Sequence, residues 1–292
     1  MSRISVCIIF ILMLCGCQSN QVQSGSALGD EIKQSLNNLE GDFALVFKMI
    51  DDTTQTIYIN EREMFHAAST MKTPVMIELF KQAEEGKLSL TDSITVKNEF
   101  RSIVDSTYYK MEISEDSEGE LYKFIGKQRS IRDLIDDMIT MSSNLATNIL
   151  IEQVRAPQVT KTMRSYGADS ILVLRGVEDI KAYEKGLSNR TTALDESIIY
   201  EKLAKGEAVS KEASREMIEI LKQQKFNEMI PARLPQEVEV AHKTGWVTGV
   251  NHDAGIVLLP DGRRYVLVML SKNAPDREKV IYVVCRYIQI CI

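Results

Sequence analysis

In the stretch FHAASTMKTPVMIELF, residues 65–80, Ser69 and Lys72 stand three positions apart at the start of an apolar helical pattern. On a helix, positions i and i+3 share a face, so the two side chains can meet. A serine hydroxyl is a poor nucleophile until a neighbour takes its proton. A lysine can do that when burial or a nearby cation destabilises its ammonium form. At the first turn of a helix, free backbone N–H groups and the positive end of the dipole would favour the negative charge that attack creates. Taken alone, the pair reads more simply as a capping serine followed by a solvated lysine. Two further stretches change the balance. Ser142, Ser143 and Asn144 interrupt an apolar helical run, which alone reads as a helix break or cap. His242 to Gly245, HKTG, lies in a β-rich run, which alone reads as an edge strand with a solvated lysine and a glycine bulge. Together, in this order, they offer one nucleophile, two lysines and a relay hydroxyl.

These residues need elements to carry them. Residues 26–41 read as an amphipathic helix ended by Gly41. The runs 42–51 and 55–60 read as a hairpin, and the helix after Ser69 ends at EEGKLS. The stretch 92–129 is mixed, and its acidic part, EISEDSEGE, reads as a solvated loop. A helical pattern over 130–154 breaks at MSSN, and a short helix follows with Gly167 at its end. Residues 169–193 read largely as a loop with one turn of helix, and two more helices run to residue 226. The period then switches to 2 in three strands, with PDGR turning between the last two, and residues 276–292 read as a closing helix. The fold expected is α/β (α+β): an antiparallel sheet with flanking terminal helices, formed by 27–68 and 210–292, plus an all-α lobe inserted over 69–209. A cleft between such lobes is a natural place for a site.

The first residues are not part of that fold. Arg3, the apolar ISVCIIFILML and the following CGCQSN read as a secretory signal over 1–17. LCGC resembles a bacterial lipobox with Cys17 as the lipid-bearing residue; a plain signal peptide or an amino-terminal anchor is the alternative. Residues 18–26 suit a short tether. The protein is therefore expected to be exported, periplasmic and held to a membrane by a lipid. Of the remaining cysteines, Cys285 and Cys291 are six apart in one helical pattern, on different faces, and read as small buried apolar residues. A net charge of −6 without a dense Lys/Arg block argues against a nucleic-acid partner. No Cys/His cluster has zinc spacing, and no metal or organic cofactor is expected.

With S-x-x-K at 69–72, S-S-N at 142–144 and K-T-G at 243–245, the chain resembles the class A serine β-lactamases and the related serine D,D-peptidases. The resemblance extends over residues 27 to 290 and includes NRTTALD (189–195) and the helix–strand ending. It implies a β-lactamase/transpeptidase-like fold and a monomer acting on a β-lactam or a peptidoglycan peptide. It further implies Ser69 as acylated nucleophile, Lys72 as its base or proton relay, and Ser142 as the donor to the departing nitrogen. Asn144 would hold the substrate's amide side chain, and Lys243 and Thr244 its carboxylate, with Gly245 beside them. The backbone N–H groups of Ser69 and Trp246 would form the oxyanion hole.

Two departures from the family pattern matter. Ser143 stands where the family carries Asp, so altered local hydrogen bonding is expected there. Deacylation in class A enzymes uses a glutamate in an E-x-x-L-N pattern, and RGVEDIKAYEKGLSN fits it imperfectly. The candidates are Glu178, at about the family's distance from Ser142, and Glu184, with the bland reading that both are surface carboxylates. If neither serves, the same acylating residues would make a D,D-peptidase, an esterase or a sensor that is acylated without turnover. Among flanking residues, His66 and His242 read as packing or hydrogen-bonding groups, and Asp253 as a turn residue, with the orienting of neighbours across the strands as its alternative. One of Tyr108 and Tyr109 reads as core.

Overall fold

The computed structural model of the protein describes residues 25–279, apart from Thr53 and Arg277. The export segment, Cys17, most of the tether and nearly all of the expected closing helix with Cys285 and Cys291 lie outside those residues.

Helix α1 (Gly25–Asn37) leads through Gly41, at φ 128°, into strands β1 (Asp42–Met49) and β2 (Thr56–Ile59). Strand β3 (Phe65–His66) and one 3-10 turn (Ala68–Met71) precede α2 (Lys72–Glu84). Three short strands follow, β4 (Ser93–Thr95), β5 (Phe100–Arg101) and β6 (Tyr108–Tyr109), and then β7 (Gln128–Ser130). The helical stretch is α3 (Ile131–Thr140), α4 (Asn144–Val154), α5 (Ala156–Ser165) and the short α6 (Ile180–Glu184). Strand β8 (Arg190–Thr191), α7 (Ala193–Lys205) and α8 (Lys211–Leu221) return the chain to the sheet. It closes with β9 (Glu239–Val247), β10 (Val250–Leu258) and β11 (Arg264–Lys272).

The five long strands form one antiparallel sheet in the order β2-β1-β11-β10-β9. Alternation along each strand feeds two cores. Phe43, Leu45, Phe47 and Met49 of β1 join Leu267 and Met269 of β11 against α1. Ala44 and Val46 face the other way and join Val266, Val268 and Leu270 in the larger core shared with the helices. Helix α2 runs through that larger core. Its residues 72–80 are all buried, which is why the sequence there has no polar stripe. Helix α7, which the sequence groups with the inserted lobe at 69–209, lies instead on the sheet against β1, β10 and β11. Its buried Ile199, Tyr200 and Leu203 belong to the sheet-side core.

The acidic stretch 112–120 is not merely a solvated loop. Asp116 accepts the backbone N–H groups of Asn144 and Leu145, at 2.8 and 2.9 Å, and so caps the first turn of α4 from 28 residues away. Asp253 is likewise not a turn residue. It is fully buried within β10, opposite Thr244, and accepts from Ile230 N.

Candidate active site

The serine sits on a tightly made turn. Ala67 N donates to Asn189 O, and the N–H and hydroxyl of Thr70 both reach Ala67 O, at 3.1 and 2.7 Å. Between them Ala68 takes φ 45°, a left-handed value that a non-glycine residue holds only when its surroundings impose it. Its N–H donates to His66 Nδ1. That imidazole is therefore a neutral acceptor, and burial beside the Arg175 charge pushes its pKa down. His252, fully buried, donates from Nε2 to His66 O and accepts Ser271 N at Nδ1; burial lowers its pKa to about 4. Both histidines hold backbone groups; for His66 that is the hydrogen-bonding part the sequence suggested.

Strand β9 passes directly under this turn. A Cβ at Gly245 would stand 3.1 Å from Ser69 N, 3.2 Å from Thr70 N and 3.2 Å from the Ala68 Cβ. Only glycine lets the strand approach so closely. The approach brings Thr244, Gly245 and Trp246 to the same cleft as Ser69.

Two buried lysines converge on one hydroxyl. Lys72 Nζ donates to Ser142 O at 2.7 Å, Asn144 Oδ1 at 2.9 Å and Ser142 Oγ at 3.2 Å. Lys243 Nζ donates to Ser142 Oγ at 3.1 Å and Thr244 O at 2.9 Å. Both lysines are wholly buried. Burial drives the pKa of Lys72 down to about 7, opposed by the nearby carboxylates of Asp116 and Glu178. Burial and the charge of Lys72 hold Lys243 well below the ordinary lysine value, with Asp253 opposing. Ser142 itself lies at φ 55° in the break between α3 and α4. Ser143, in place of the family's Asp, caps α4 by accepting Ala146 N at its hydroxyl.

The facing wall is made of loops. Glu178 lines the cleft and accepts Asn144 Nδ2 at 2.8 Å; burial raises its pKa to about 7. Its backbone is left-handed at φ 61°. Asn148 holds it there: Oδ1 accepts Val177 N at 2.7 Å and Nδ2 donates to Val177 O at 3.0 Å. Asp179 bonds Ser102 Oγ and Ile103 N, tying the same loop to the segment between β5 and β6. Glu184, the other candidate, is exposed at the last residue of α6 and is not in the cleft lining. The cleft encloses about 870 Å³.

Ser69, Lys72, Ser142, Asn144, Glu178, Lys243, Thr244, Gly245 and Trp246 are thus brought together. Sequence reasoning misses Asp116, Ser117, whose hydroxyl donates to Ser142 O, and Asn148. Asn148 lies four positions after Asn144 on one helix face, which is a legible signal; Asp116 gives none. Tyr109 packs on the core and donates to Val177 O, whereas Tyr108 is exposed and stacks on Arg101. His242 bonds Asp253 at 2.8 Å and Asn227 at 3.1 Å beneath Lys243.

Comparison with known proteins shows the family. A sequence profile described as the beta-lactamase enzyme family matches residues 27–285. The chain belongs to that family. It is 25% identical to the β-lactamase of Bacillus licheniformis over 95% of this chain and 90% of that one. It is 23% identical to the extended-spectrum β-lactamase PER-1 of Pseudomonas aeruginosa over 78% of this chain and 74% of that one. Among solved structures it resembles PBP-A, with a TM-score of 0.77 at 24% identity over 91% of this chain and 94% of that one. A β-lactamase from Sphaerobacter thermophilus gives 0.74 at 23% identity, over 92% of this chain and 95% of that one. The fold is the β-lactamase/transpeptidase fold.

Proposed function

We propose that the protein is a serine hydrolase of the class A type that opens β-lactam amides through an acyl-Ser69 intermediate. The observation that carries this reading is Lys72, buried one helical turn from Ser69, titrating near neutrality and linked through the Ser142 hydroxyl to a second buried lysine. With a pKa of about 7, a large share of Lys72 is neutral at physiological pH and able to take the Ser69 proton. Attack on the lactam carbonyl forms the Ser69 Oγ–C bond and puts negative charge on its oxygen. The N–H groups of Ser69 and Trp246, on the turn and strand that Gly245 holds together, would bind that oxygen. Collapse breaks the C–N bond, and the proton returns from Lys72 through Ser142 to the nitrogen. A substrate carboxylate beside Thr244 would restore the charge on Lys243, so binding should take up a proton.

Release of the acyl group would fall to Glu178 as the base for water. The burial that raises its pKa leaves a share of it protonated, and therefore idle, at neutral pH. That favours a second reading, in which acylation outpaces release and the protein works as a D,D-peptidase or sensor. One of the similar structures is an acyl-enzyme complex of a PBP-A mutant with penicillin G. We further propose export as a monomeric periplasmic lipoprotein anchored at Cys17; palmitate labelling lost on Cys17→Ser would test the anchor.

Intact-mass measurement of the soluble form after mixing with benzylpenicillin, with product followed optically, tests the main reading. Fast product with little adduct supports hydrolysis, and a lasting adduct supports the second reading. Either must vanish in Ser69→Ala; an adduct that survives there removes both.

A further inference from the structure

Behind the Ser69 turn lies a carboxyl group that the reaction does not use. Glu196, in the first turn of α7, is wholly buried. Its Oε1 lies 2.9 Å from Thr70 Oγ1, and Thr70 Oγ1 lies 2.7 Å from Ala67 O. A hydroxyl carries one proton, and a backbone carbonyl can only accept. If Thr70 donates to Ala67 O, the proton in the contact with Glu196 must come from Glu196. The other oxygen, Oε2, is buried with no hydrogen-bond partner. The Thr191 hydroxyl is close enough to favour the charged form somewhat, but it is directed to Thr192 O.

The surroundings offer a carboxylate only the two threonine hydroxyls, which burial outweighs. From α7 come Asp195, which repels a negative charge, and Tyr200, whose hydroxyl is shared with Thr73 of α2. The serine turn contributes Thr70 and β8 contributes Thr191, both neutral. Among the described residues no lysine, arginine or histidine bonds to Glu196. A buried carboxylate oxygen without a partner is far more costly than the carbonyl oxygen of a neutral acid.

We infer that Glu196 is a carboxylic acid in the working protein, and that its proton holds the nucleophile turn in shape, making Glu196 a positioning residue for Ser69. With the acid donating to Thr70, the Thr70 hydroxyl donates to Ala67 O and adds a second bond, beside that of the Thr70 N–H, across the turn in which Ala68 is held at φ 45°. Loss of the proton turns the Thr70 hydroxyl toward Glu196 and leaves Ala67 O with the Thr70 N–H alone, so the turn loosens and Ser69 loses its aim. Burial raises the pKa of Glu196 to about 7, so this loss falls within the working range of pH. Its effect has the opposite sign to that of Lys72 and Glu178, which act when deprotonated.

The test rests on the acyl-serine reading for one readout and is free of it for the other. Acylation by benzylpenicillin is timed by intact mass across pH for wild type, Glu196→Gln and Glu196→Ala. Wild type should decline on the alkaline side. The Gln amide donates to Thr70 at every pH, so Glu196→Gln should stay within about threefold of wild type at mildly acid pH and lose the decline. Glu196→Ala should be slower by about tenfold or more throughout. An unchanged alkaline decline in Glu196→Gln, or a Gln variant no faster than Ala, overturns the assignment.

The second readout is melting temperature against pH. A carboxyl raised in the folded state binds its proton more tightly there than when unfolded, so wild type should lose stability relative to Glu196→Gln as pH rises from the ordinary glutamate range to about 7, then run parallel. Curves parallel throughout overturn the proposal even in a protein that never reacts. Diverging curves without any wild-type adduct would remove the acyl-serine reading and leave the proton on Glu196.

Discussion

The two walls of the cleft are held by different kinds of bond. The sheet wall is β9, fixed along its length by the ladder to β10 and brought against Ser69 because position 245 has no side chain. The loop wall has no such ladder. Residues 112–118 and 176–180 are fixed by side chains that reach backbone groups far away in sequence: Asp116 to Asn144 and Leu145, Asn148 to Val177, Asp179 to Ile103. The sheet wall carries the groups expected to bind and polarise the substrate. The loop wall carries Glu178, the group expected to release it. On the proposed reading, attack leans mainly on the sheet wall and release on the loop wall, which reaches Lys72 as well through the charges of Asp116 and Glu178.

The largest effect should follow a change at the sheet wall. Gly245→Val forces a branched side chain against the Ser69 turn and should slow acylation by about 100-fold or more, since a displacement of an ångström costs that much. Retained acylation would mean that the turn is softer than its bonds suggest. At the loop wall, Asn148→Ala strips two bonds from Val177, leaving its N–H unpaired and its O with Tyr109 alone, at about 1–3 kcal/mol of stability by chemical unfolding. Its adduct should form but persist; loss of acylation as large as that of release would merge the two scaffolds into one. Glu178→Gln isolates the chemistry from the scaffold. It should prolong the adduct, and by removing a carboxylate that raises the Lys72 pKa, it should move the acid limb of acylation to lower pH. Asp116→Asn acts on Lys72 in the same direction and weakens the cap of α4 by about 1 kcal/mol. Trp246→Ala should do least. Its side chain is 62% exposed and its N–H remains, so stability should change by under about 0.5 kcal/mol. Because it is the sole tryptophan, any fluorescence change that accompanies acylation in wild type should disappear with it.

The same contrast explains what can be read in advance. The period-2 runs over 42–49, 239–247 and 264–272 announce the sheet because each strand must feed two cores. Ser69, Lys72, Ser142 and Lys243 are legible from their spacing together with the family resemblance. The choice between Glu178 and Glu184 is not, because the loop bends at a left-handed Glu178 and no local periodicity encodes that. The role of Asp116 is hidden for a related reason. A carboxylate in an acidic surface run looks solvated until the helix end it caps is known. Asp253 misleads because HD after Asn251 resembles a turn, whereas Gly249 makes the turn and Asp253 lies inside the strand.

The Ser142 hydroxyl, shared between Lys72 and Lys243, has a consequence for biogenesis. Its two partners lie 70 and 101 positions away along the chain, one on the first buried helix and the other on a strand near the end. The second lysine reaches the shared hydroxyl only once β9 has docked. On the proposed acyl-serine reading, an incompletely folded chain should be inert toward acyl donors, because the site needs contacts far apart in sequence, which are slow to form. If the protein is acylated as proposed, a small penicillin would serve as a clock for the completion of folding, readable in a single mass spectrum.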